Sequence, residues 1–139
     1  MATILVIDDS ATVREVLRAS LENAGYQVLL ASNGRKGVDL HRAVGSDLVL
    51  TDLLMPEQEG LETIRELKRV WPDLPVIAAS GGSSFLDTKD LLSAASCFGA
   101  VRTLTKPFTA DELLTAVHDA LELCAADSRD EDARPSTSA

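Results

Sequence analysis

Apolar residues in this chain gather in short runs separated by amphipathic stretches. The runs at 3–7, 26–30, 47–51 and 76–79 are rich in Val, Ile, Leu and Ala, and 101–104 is a weaker fifth. Four of the five are nearly continuous rather than alternating, the pattern of strands covered on both faces in a parallel sheet. Between them the period changes to that of helices. Val13, Val16, Leu17, Leu21 and Ala24 lie on one face, and Gly25 is placed to end that helix. A second helix over 35–44 is weakened by Gly37. Leu61, Ile64, Leu67 and Val70 mark a third, stopped before Pro72. Leu86, Leu91, Leu92 and Ala95 outline a fourth without a clear start. Thr109-Ala110-Asp111-Glu112 forms a capping box ahead of Leu113, Leu114, Val117 and Leu121.

The order is therefore a strand then a helix, five times over. Such alternation predicts an α/β fold: a parallel sheet with helices on both faces and right-handed crossovers. Asn33-Gly34, a hairpin signal in isolation, precedes a helical pattern and so reads as a strand-to-helix loop. Beyond residue 124 the character changes. Residues 125–139 are rich in Ser, Asp, Arg and Ala and carry no large apolar side chain, which predicts a disordered tail after a single domain over 1–124.

Composition narrows the function. A net charge of −9 repels phosphate backbones and argues against direct nucleic-acid binding. No apolar run approaches the ~20 residues of a membrane span, and the first residues lack a signal-peptide pattern, so a cytoplasmic location is expected. Cys97 and Cys124 form no close pair and read as small buried hydrophobes. His41 and His118 read as surface histidines, and Trp71 as a packing residue at a helix end.

In an open parallel sheet, ligands bind outside the carboxyl ends of the strands. The first strand leads into Asp8-Asp9, the third into Asp52, the fourth into Ser80 and the fifth into Lys106-Pro107. Singly, these are a helix cap, a loop acid, a turn serine and an exposed lysine. Together they deliver three carboxylates, a hydroxyl and an ammonium to one rim. Hard oxygen ligands select a magnesium-like cation, and an aspartate can attack phosphorus to give an acyl phosphate. Phosphoryl transfer asks mainly for positioning and charge neutralisation.

The segments Val6-Ile7-Asp8-Asp9, Asp47 through Pro56, Ser80, and Leu104-Thr105-Lys106-Pro107-Phe108 resemble the bacterial response-regulator receiver family, CheY-like in type, over about residues 3–124. The resemblance implies a flavodoxin-like, doubly wound fold of five strands in the order 2-1-3-4-5. It implies that Asp52 is the phosphoacceptor and that Mg2+ is held by Asp9, Asp52 and the Leu54 backbone carbonyl, with Asp8 acting through water. Ser80 and Lys106 would contact the phosphoryl group, and the Lys106–Pro107 peptide would be cis. The implied partners are a histidine kinase or phosphotransfer protein and a downstream effector protein. The last two helices and fifth strand are the expected interface, with a homodimer there left open.

Three departures from the family pattern stand out. Thr103 occupies the switch position, where an aromatic is usual, which suggests an output route other than an aromatic swing; the plainer alternative is a threonine that suits a strand. The segment from Ser80 to Lys106 is about one helical turn longer than usual for the family, with Gly81-Gly82-Ser83-Ser84 at its start, and reads as a tolerated insertion or, alternatively, as a mobile lid or a partner surface around Phe85. Leu54 and Gly82 pull the phosphoryl lifetime in opposite directions. Among rival readings, an aspartyl-nucleophile phosphatase usually has a second Asp two residues on, where this chain has Leu54. A phosphorylation-independent binding module leaves the acidic site and Lys106 unexplained. A flavin protein would need a glycine-bearing phosphate loop in place of Ser10-Ala11-Thr12-Val13.

Overall fold

A computed structural model describes residues 2–53, 59–80, 93–96 and 99–132, with the backbone alone for 59 and 124–132. Its strands are β1 (Thr3–Ile7), β2 (Gln27–Ala31), β3 (Leu48–Asp52), β4 (Val76–Ser80) and β5 (Arg102–Thr105). Its helices are α1 (Ala11–Asn23), α2 (Gly34–Val44), α3 (Glu59–Val70), a described turn of α4 at 93–96, and α5 (Ala110–Asp132). All four strand pairings are parallel, in the order β2-β1-β3-β4-β5.

Alternate residues of each central strand feed two separate cores. Ile4, Val6, Leu48, Leu50, Ile77 and Ala79 face α1 and α5, meeting Leu17, Leu21, Leu113 and Val117. Leu5, Ile7, Val49, Val76 and Ala78 face the other way, toward Val38 of α2, Ile64 and Leu67 of α3 and Ala95 of α4. The continuous apolar runs are thus the signature of a sheet buried on both sides. The fifth run reads weaker because β5 is an edge strand, with Arg102, Thr103 and Thr105 exposed.

Local signals act as the residue types dictate. Asn33 caps α2 by accepting from the Lys36 amide at 2.8 Å. Thr109 and Glu112 bond reciprocally, Thr109 N to Glu112 Oε1 at 3.0 Å and Glu112 N to Thr109 Oγ1 at 3.1 Å. Gly37 is no weakness in α2, because a Cβ there would lie 2.7 Å from Ile7 Cγ1; the missing side chain lets the helix lie close on β1. At the amino edge of the sheet, Gly25 and Gly45 turn the chain with φ of +99° and +88° into β2 and β3.

Two expectations are corrected. His41 is 9 % exposed, not a surface residue. Its ring meets Trp71 edge-on at 4.4 Å, and Nδ1 accepts from the Ser46 amide at 3.1 Å. Burial lowers its pKa from the ordinary 6.5. A histidine reads as a surface residue by default, and only the fold reveals the cover supplied by Trp71, just past the end of α3. Second, α5 stays helical to Asp132, eight residues into the stretch read as a disordered tail. No Gly or Pro interrupts residues 110–132, and a helix nucleated by packing propagates at one hydrogen bond per residue fixed. Cys97, Phe85, Gly82 and residues 133–139 lie outside the described residues, as does the Cys124 side chain.

Candidate functional site

Each strand of the inner sheet delivers one polar group to the carboxyl rim. β1 runs into Asp8, whose amide donates to Ala31 O at 3.1 Å as the last rung toward β2. β3 ends in Asp52, and the next amide, Leu53 N, donates to Ala79 O at 2.9 Å. β4 ends in Ser80, whose carbonyl accepts from Lys106 N at 2.9 Å. The sheet register thus sets the spacing of the site.

The carboxylates of Asp8, Asp9 and Asp52 each offer an oxygen within 4.8 Å of the others. Asp8 and Asp52 are only 3 % and 6 % exposed, whereas Asp9 is open to solvent. Burying two carboxylates side by side is costly without a counter-charge. Lys106 supplies it: Nζ lies 3.2 Å from Asp8 Oδ2 and 3.4 Å from Asp52 Oδ1. The Lys106–Pro107 peptide that precedes α5 is cis.

Asp8 is not the helix cap that an Asp-Asp pair often is. Ser10 caps α1, accepting from Val13 N at 3.3 Å, and Asp8 Oδ1 instead accepts from Ser10 N at 2.9 Å. Arg14 reaches back from the first turn of α1, and its Nη1 donates to the Asp8 main-chain carbonyl at 2.7 Å. Ser80 Oγ is fully buried and has no hydrogen-bond partner among the described residues. A buried hydroxyl left unpaired costs about 1–3 kcal/mol, so such a group marks a place where a ligand atom would be welcome.

The start of α3 abuts the end of β3 through Gly60. A Cβ at Gly60 would lie 2.6 Å from Leu53 Cα and overlap the Asp52 carbonyl, so only glycine lets the helix come this close. Sequence patterning missed Ser10, Arg14 and Gly60. Ser10 carried a usable signal, a serine just before an apolar-periodic run; Arg14 and Gly60 carried none without the fold. Thr103 lies on β5, opposite Ala78 in the register, and is exposed. Leu54 lies outside the described residues.

Three clustered carboxylates, two of them paired with one lysine, at the carboxyl edge of a five-stranded parallel sheet are matched by a known family. Residues 4–118 fit the family model of the response regulator receiver domain. The chain belongs to that family. Receiver domains are regulatory domains of two-component systems. This one is 41 % identical over 111 residues to the response regulator MprA of Mycolicibacterium vanbaalenii, covering 80 % of this chain and 46 % of the relative. It is 38 % identical over 120 residues to the DNA-binding transcriptional regulator NtrC of Rhizobium meliloti, covering 86 % of this chain and 24 % of that one. The chain therefore spans half or less of the length of these relatives. Among solved structures, a receiver domain protein of Clostridium thermocellum superposes with a TM-score of 0.79 at 34 % identity, covering 88 % of this chain and 95 % of that one. NtrX of Brucella abortus superposes at 0.88 with 27 % identity, covering 96 % of this receiver and 30 % of that chain.

The donor set suits a hard divalent cation: clustered carboxylate oxygens, two of them held in place by burial and one facing water. No helix among the described residues is long and apolar enough to cross a membrane.

Proposed function

We propose that this receiver domain is a phosphorylation switch whose phosphoacceptor is Asp52. A carboxylate oxygen of Asp52 attacks the phosphorus of a phosphohistidine carried by a histidine kinase or phosphotransfer protein. The new P–O bond forms as the P–N bond breaks, and the imidazole leaves with the electron pair. The observation that carries this reading is Lys106 Nζ poised between Asp8 Oδ2 at 3.2 Å and Asp52 Oδ1 at 3.4 Å, inside a group of three carboxylates.

Asp9 and Asp52 would hold Mg2+ directly, with the Leu54 main-chain carbonyl and, through water, Asp8. When bound, the cation neutralises charge on the transferring phosphoryl oxygens. The chain's own groups do the rest. Lys106 exchanges its carboxylate partners for a phosphoryl oxygen, and the Ser80 hydroxyl gains the acceptor it lacks. Because Lys106 N is bonded to Ser80 O, both ligands shift as one unit at the ends of β4 and β5. Thr103, exposed on β5 three residues before Lys106, stands at the switch position, and with no aromatic ring there the shift leaves the site by another route.

The domain over residues 1–124 turns over no separate substrate; it controls its own phosphorylation and dephosphorylation and reports to an effector protein in the cytoplasm. The β5–α5 surface, where Arg102 and Leu104 adjoin Asp111, Glu112 and Asp119 in a groove of about 400 Å³, is the effector surface, and its mixed charges also suit a homodimer.

Intact mass after incubation with acetyl phosphate tests the reading. The expected result is a gain of one phosphoryl group that needs magnesium and is lost in Asp52→Asn. If neither a phosphoryl adduct nor a beryllofluoride complex forms in protein shown to bind magnesium, the switch reading fails.

A further inference from the structure

The peptide joining Asp8 to Asp9 is clamped from one side by a cation that takes no part in the acidic cluster. Arg14 Nη1 donates to Asp8 O at 2.7 Å. Its reach follows from helical geometry, because side chains lean toward a helix N-terminus and α1 begins three residues after Asp8. Asp8 O lies past the last paired residue of β1, Ile7 opposite Ala31. Its carboxylate is also committed, Oδ1 to Ser10 N and Oδ2 to Lys106 Nζ.

A peptide unit is planar, so the Asp8 carbonyl and the Asp9 amide turn together. A donor fixed on that oxygen fixes the plane from which the Asp9 backbone departs. Asp9 is the exposed member of the cluster and has the least packing to hold it. We propose that Arg14 is a positioning residue for the cation site: it keeps the Asp9 carboxylate beside Asp8 and Asp52 by holding the Asp8–Asp9 peptide, a role that rests on the metal-assisted reading above.

Charge alone predicts the opposite effect. A positive side chain near a cation site weakens cation binding, and removing it should strengthen binding. Arg14, however, also lines an open groove of about 690 Å³ with Glu15, Lys36 and Asp39. Solvent and salt there screen its charge. The clamp should therefore outweigh the charge, and the sign of the change tells the two apart.

Magnesium affinity, measured by titration calorimetry at fixed ionic strength on the wild type, Arg14→Met and Arg14→Lys, is the test. Losing an outer partner of a metal ligand weakens binding about 10–100-fold, and Arg14→Met is expected near the lower end of that range. Arg14→Lys, which keeps a donor and the charge, should recover most of the loss. The amide resonances of Asp9 and Ser10 in metal-free protein should shift or broaden in Arg14→Met, return in Arg14→Lys, and leave α3 and α5 unmoved. Affinity equal to or tighter than wild type in folded Arg14→Met overturns the inference while the site reading stands. If Arg14→Met does not fold, failure of Arg14→Gln to weaken binding overturns it equally. Absence of a magnesium isotherm in wild type would overturn the site reading and this inference with it.

Discussion

Replacing Lys106 with methionine keeps the length of the side chain and removes its charge. Three carboxylates then remain with oxygens within 4.8 Å of one another, and at an effective dielectric of about 20 each charged pair at that distance repels by about 3.5 kcal/mol. Lys106 offsets this from 3.2 and 3.4 Å. Breaking a buried pair costs about 3–5 kcal/mol, and because the Lys106 side chain is 26 % exposed the loss should be nearer 2–3 kcal/mol. That is a large fraction of the stability of a domain this size. The loss belongs to the metal-free protein alone, since a bound divalent cation replaces the missing charge and stabilises by mass action. Urea unfolding followed by circular dichroism, in a chelator and in saturating magnesium, separates the two. The variant should be destabilised in chelator and largely restored by magnesium, with a larger magnesium increment than wild type. An equal loss under both conditions would mean that the lysine acts through packing of its alkyl stem, and the counter-ion account would be refuted.

Ser80→Ala removes a buried hydroxyl with no partner among the described residues, so metal-free stability should hold or rise by about 1 kcal/mol while affinity for beryllofluoride falls; a clear loss of stability by denaturant melt would show that the hydroxyl is already satisfied. Gly60→Ala places a methyl against Leu53 and the Asp52 carbonyl, which should cost about 1–3 kcal/mol and slow acetyl-phosphate labelling; wild-type labelling in this variant would refute the close approach. His41, with its native pKa lowered by burial, binds protons less readily folded than unfolded. Its contribution is present in full above about 6.5, the unfolded value, and is lost as pH falls toward and through the native value. The melting-temperature advantage of wild type over His41→Gln should shrink between pH 7.5 and pH 5.5, and a constant difference would count against the buried neutral ring.

The fold was legible because each central strand is buried on both sides. That burial writes itself into the chain as unbroken Val, Ile and Leu, and the helical periods between such runs leave few topologies. Asp8, Asp9, Asp52, Ser80 and Lys106 were legible for a related reason: a parallel sheet brings all its strand ends to one rim, so residues far apart in sequence could be assembled on paper. The groups that hold them were not. Arg14 acts through a main-chain carbonyl, and any residue has one of those. Gly60 acts through an absence, and its neighbour in space, Leu53, comes earlier in the chain, before residues 54–58. The burial of His41 depends on Trp71 arriving from the far end of α3, a contact no local pattern encodes. The helical course of residues 125–132 was missed because composition measures what a segment can bury, whereas a helix already started needs only to go on unbroken.

The two rims of the sheet are unequal partners in the laboratory. Every group of the acidic site sits where strands leave the sheet, while the turns through Gly25 and Gly45 sit where they enter it, with nothing within 4 Å of a side chain built on either glycine. Beside those turns, Asn23 and Val44 are exposed. A dye, a surface tether or a fused reporter attached there would stand a sheet's height from the chemistry. That rim is where an experimenter can hold the molecule without touching what it does.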